Sequence, residues 1–86
     1  MSTFAECWDA ASLDDTVQVS NGLPEPGNTA GVPWRIWRSH NFTGVLVQKS
    51  DASAPRRMRF ELAPEAGAIV SYEVYEGAGH TFTITT

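Results

Sequence analysis

Cysteine is almost missing from this chain of 86 residues: Cys7 stands alone, so no disulfide can close within it. Histidine is nearly as scarce. His40 and His80 lie far apart with no clustered cysteine, which removes the ligand set of a structural zinc site. No apolar run is long enough to span a bilayer. The opening stretch MSTFAECWDAASLDD has neither the basic region nor the apolar region of a secretory leader. The expected location is therefore a reducing cytoplasm, or an assembly built there, and not secretion through a signal peptide.

A chain of this length allows one domain, residues 1–86. Such a domain buries only about 60–65% of the surface its unfolded form exposes. With no disulfide and no metal cluster, stability falls to an aromatic core or to a partner.

Bases are missing from both ends. Residues 1–34 carry Glu6, Asp9, Asp14, Asp15 and Glu25 and no base. All six bases (Arg35, Arg38, Lys49, Arg56, Arg57, Arg59) fall in residues 35–59, against Asp51 alone. Residues 60–86 carry Glu61, Glu65, Glu73 and Glu76. Two readings follow. Strands of opposite charge pair within the fold, or an acidic patch meets a basic patch on another chain, which gives register and specificity.

What the chain does have is alternation. RRMRFEL puts Met58, Phe60 and Leu62 on one side; AIVSYEVYE puts Val70, Tyr72 and Val74 on one side; HTFTITT puts Phe82 and Ile84 inward. This period of two, rich in Thr, Val, Ile and aromatics, is the strand signature. APEAG, residues 63–67, reads as a hairpin loop that sets Leu62 opposite Ala68, Phe60 opposite Val70 and Arg57 opposite Glu73. GAG, residues 77–79, reads as a second hairpin that sets Val74 opposite Phe82. Upstream, VPWRIWRS and FTGVLVQKS read as paired strands, and TVQVS as a short strand. STFAECWDAAS reads as a strand or one helical turn, since Phe4 and Trp8 suit helical spacing. The fold class is all-β: a small antiparallel sandwich or partly open barrel of six to seven short strands. The expected core is Trp34, Ile36, Val45, Val47, Met58, Phe60, Leu62, Val70, Tyr72, Val74, Phe82 and Ile84.

Residues 21–32 interrupt the pattern with a Pro/Gly-rich stretch. It reads as a long crossover loop or as an arm reaching a neighbouring subunit. The terminal Thr-rich strand reads as an edge suited to pairing with another chain.

No cofactor motif is present. GAGH lacks the strand–helix context and the lysine of a phosphate loop. Catalytic material is thin. Ser39 and His40 are adjacent and face apart in a strand, and a triad from His40, Asp51 and a serine needs only residues that chance supplies. The expectation is a protein that is not an enzyme.

The aromatic and basic segment carries more. Trp34, Arg35, Trp37, Arg38, Arg57 and Arg59 are the candidate contact residues, since Trp and Arg are the side chains enriched at interface hot spots. Single-stranded nucleic acid would use the same ingredients, although the net charge of −4 opposes phosphate binding. A glycan is the other alternative, with a Trp face flanked by Asn41, Thr43 and Gln48.

The C-terminal RRMRFELAPEAGAIVSYEVYEGAGHTFTITT resembles small all-β structural proteins of tailed-bacteriophage particles, the capsid-decorating and head–tail proteins. The likeness lies in the short meander, the acidic charge and the Thr-rich strands. It implies multimeric binding to itself or to capsid or tail proteins, in a virion or the host cytoplasm, without catalysis, cofactor or membrane.

Overall fold

The structure is a computed structural model that describes residues 2–27, 31–53, 55–62 and 69–85. The chain runs α1 (Phe4–Ala10), β1 (Thr16–Ser20), α2 (Val32–Arg38), β2 (Phe42–Lys49), β3 (Arg57–Glu61), β4 (Ser71–Tyr75) and β5 (Thr81–Ile84). The described residues thus form five strands, fewer than the six to seven expected. They make one antiparallel sheet, in the order β4-β3-β2-β1-β5, rather than two facing sheets.

Alternation puts Val17, Val19, Phe42, Leu46, Met58, Phe60, Val74 and Phe82 on one buried face. The other face carries Gln18, Thr43, Arg59, Glu73 and Thr83, all exposed, as an antiparallel sheet with one solvated side requires. Of the expected core, Met58, Phe60, Val74 and Phe82 are buried, and Leu62, Tyr72 and Ile84 pack against them. Val45 and Val47 are only half-buried, because β2 turns Phe42, Gly44 and Leu46 inward instead. Gly44 is a close-approach site. A Cβ there would lie 3.1 Å from the Glu61 carbonyl oxygen and 3.2 Å from Phe60 Cβ.

α1 covers the buried face. Thr3 and Glu6 form a reciprocal capping box that satisfies its first free amides. The helix buries Phe4 and Cys7, with Phe4 edge-on to Phe82 at 5.9 Å. Burial pushes the Cys7 thiol pKa up, as fits a small core residue. A bulge between Leu46 and Gln48 in β2 brings Lys49 round to Met58's side. Its ammonium donates to the Trp8 and Ala11 carbonyls at 2.7 and 2.6 Å, closing the C-terminal end of α1. Trp8 is flanked by Lys49 and Arg56, whose charged groups lie 5.8 and 5.1 Å from its ring.

Three pairings differ from the sequence expectation. Phe60 lies opposite Tyr72, Met58 opposite Val74 and Arg59 opposite Glu73, two residues from the expected register. A slip of two keeps every side chain on its face, so the hydrophobic pattern alone could not choose. The APEAG loop, residues 63–67, lies outside the described residues. β4 and β5 are not hairpin partners: they occupy opposite edges of the sheet, and β5 pairs with β1. Residues 76–80 alone join them, a reach of roughly 20 Å that is about the width of a five-stranded sheet, and the sheet does not close into a barrel. The outer edge of β5 is bridged at Phe82 by Ser2.

The third difference is larger. VPWRIWR is a helix, not a strand, and β2 pairs with β1 and β3. Pro33 sits in the first turn, where its fixed φ and missing N–H suit a helix start. The odd spacing of Trp34 and Trp37, which splits them across two faces of a strand, places them on one side of a helix. Neither Trp34 nor Ile36 enters the core: no residue of α2 is buried.

Candidate functional site: the Trp37 cleft and the exposed face of α2

Asn41, just before β2, anchors α2 to the sheet. Its side-chain oxygen accepts from Ser20 Oγ at 3.0 Å and from the Asn21 amide at 3.2 Å. Its amide nitrogen donates to Asn21 Oδ1 at 2.9 Å and to the Trp37 carbonyl at 2.8 Å. One side chain thereby ties the end of β1 to the end of α2.

The following loop is held from the other side. Trp37 Nε1 donates to the Leu23 carbonyl at 2.9 Å, and Trp34 Nε1 donates to Glu25 Oε1 at 3.1 Å. The Asn21 side chain accepts from the Leu23 amide, and Gly22 adopts a positive φ of 79°. These bonds explain how a seven-residue helix, too short to persist alone, holds its place.

Between this unit and the open face of the sheet lies a cleft of about 290 Å³. Gln18 and Ser20 of β1, Asn41, and Phe42 and Thr43 of β2 line it, with Trp37 and Leu23 opposite. Gln18 and Thr43 are direct cross-strand partners. None of the lining residues carries a charge.

On its outer side α2 exposes Val32 (64%) and Ile36 (58%), one helical turn apart, and the loop exposes Leu23 (63%). Arg35 is exposed, and Arg38 lies over the Trp34 ring at 5.4 Å.

The six candidate contact residues therefore divide. Trp34, Arg35, Trp37 and Arg38 share α2. Arg57 and Arg59 lie on β3 near the other end of β2, where Arg59 faces Gln48. Arg57 is 3.7 Å from Glu73, and Arg59 donates to Ser71 Oγ. Arg56, not among the candidates, makes a two-pronged pair with Glu76 and lies over Phe4 as well as Trp8. That contact holds the Glu76 carboxyl below the usual carboxylate range. Basic and acidic segments thus pair inside the chain at this end of the sheet, while Arg35 has no ion pair among the described residues.

Of the side chains singled out for a glycan, Asn41 and Thr43 meet Trp37 and Gln48 does not. Gln18, Ser20 and Leu23 were not foreseen at the site. The outward position of Gln18 in TVQVS was legible, but the strand it faces was not. His40 lies against His80, while Asp51 follows the far end of β2 and accepts from the Ser53 amide. Among the described residues no group of three or more His, Cys, Asp or Glu is placed to hold a metal ion, and no helix is long and apolar enough to cross a membrane.

No family model matches the chain, and no curated protein or solved structure matches it.

Proposed function

We propose that this chain is a non-catalytic interaction module that binds copies of itself or a larger protein assembly through α2. One observation carries the reading: α2 buries none of its residues, yet presents Val32 and Ile36 to solvent beside the exposed Leu23. A short amphipathic helix held by hydrogen bonds away from the core is suited to laying its apolar side against a partner. Arg35 and Arg38 on the same helix favour an acidic partner surface. The resemblance of the C-terminal strands to phage decoration and head–tail proteins suggests that the assembly is a virion, with the chain located there or in the host cytoplasm.

Light scattering and co-sedimentation with phage particles test this. The wild-type chain should self-associate or be retained on particles, and Ile36→Asp should abolish either without lowering the melting temperature. A stable monomer that no particle retains would falsify the reading.

A further inference from the structure

The cleft behind Trp37 shares only Leu23 with the proposed contact surface of α2 and has its own chemistry. We infer that it is a binding site for a neutral hydroxylated ring, a pyranose sugar, seated between the Trp37 indole and the open face of β1 and β2. The inference does not rest on the assembly reading, because Val32 and Ile36 do not line the cleft.

Size is the first argument. About 290 Å³ lies just below the usual span of small-molecule sites, roughly 300–1,000 Å³, and suits one ring rather than an extended ligand.

Charge is the second. Amides, hydroxyls and apolar groups line the site, with no cation to hold a phosphate and no carboxylate to hold an amine. A ligand matched to it is itself neutral, since burying an unpaired charge is costly.

Rigidity is the third. Asn41 is fully engaged by its four hydrogen bonds, and the Trp37 N–H is pinned to Leu23. Neither group has to be ordered when a ligand arrives.

The last argument is what remains free. Among the described residues the side chains of Gln18 and Thr43 make no hydrogen bond. They sit side by side on adjacent strands, and Thr83 extends the same row on β5. An amide and a hydroxyl in a row, next to an indole, provide donors and acceptors for ring hydroxyls and an apolar surface for ring C–H groups.

The test is a ¹H–¹⁵N NMR titration of the whole chain with methyl glycosides of glucose, galactose, mannose and N-acetylglucosamine. At least one should shift the Trp37 indole N–H and the Gln18 and Thr43 amides, saturating at roughly millimolar concentration. Gln18→Ala, an exposed substitution whose fold is checked by unchanged spectral dispersion, should weaken that binding about tenfold. Ile36→Asp should leave it unchanged, which separates this site from the assembly surface. The inference is overturned by the absence of shifts at roughly 100 mM of every glycoside, or by equal affinity of Gln18→Ala and the parent. Larger shifts at these residues from adenosine or uridine also overturn it, in favour of a nucleobase.

Discussion

The imidazoles of His40 and His80 meet with His40 Nδ1 2.9 Å from His80 Nε2. They bracket the end of β1, because β2 and β5, which His40 and His80 precede, both pair with that strand. His80 is buried, and its Nδ1 has no hydrogen-bond partner. A protonated His80 would carry N–H on both nitrogens and leave one buried donor unsatisfied. Burial lowers the His80 pKa below its ordinary value of 6.5, and the neighbouring His40 charge lowers it further.

A pH prediction follows. In the unfolded chain His80 takes up its proton near pH 6.5, and in the folded chain only at lower pH. Its contribution to stability is therefore complete above pH 6.5 and is lost as pH falls from there through the folded pKa. The slope is at most about 1.4 kcal/mol per pH unit for one proton. Urea midpoints measured from pH 8 to about pH 5 should show this loss, and His80→Phe should flatten it. Identical pH profiles for the two proteins would remove His80 as the cause.

Phe60 is fully buried and meets Phe42 edge-on at 5.6 Å. Phe60→Ala should cost about 3–5 kcal/mol in urea unfolding. Trp37→Ala should cost far less, because Trp37 lies outside the core cluster. Comparable losses at both positions would make α2 part of the folding unit.

Asn41→Ala removes all four bonds between β1, the loop and α2. It should cost about 1–3 kcal/mol. Hydrogen exchange should show protection falling in residues 21–27 and 31–40 while the amides of β2 and β3 stay protected. Uniform loss across the sheet would contradict an anchoring role confined to this unit.

Lys49→Met keeps the stem of the side chain and deletes the charged donor to Trp8 and Ala11. A loss of about 1.5–3 kcal/mol is expected, with weakened near-UV signal from Trp8. An unchanged midpoint would show that water replaces the ammonium at the end of α1.

Gly44→Ala should cost about 1–3 kcal/mol by overpacking, since two of the nearest atoms are a backbone oxygen and a Cβ. A neutral result would mean that β3 can retreat by a few tenths of an ångström.

The alternation in TVQVS, RRMRFEL, SYEVY and TFTI determined that these segments are strands and which side of each is apolar. Met58, Phe60, Val74 and Phe82 were legible as core for that reason. Alternation has a period of two, so it is equally satisfied by a register two residues away and by a different neighbour on the same face. Only the assembled sheet chose Tyr72 as the partner of Phe60 and carried β5 to the edge beside β1. VPWRIWR was ambiguous at a deeper level. Its apolar residues fit a strand with two useful faces or a helix with one, and seven residues have too little intrinsic preference to decide. The bonds from Leu23 and Glu25 decided it, together with Asn41, which holds the end of the helix and is itself tied to Ser20 and Asn21, some twenty residues away in the chain. The same event turned Trp37 towards Gln18 and Thr43. The cleft is therefore a property of the tertiary structure, while its neutral, amide- and hydroxyl-rich chemistry was written into β1 and β2 from the start.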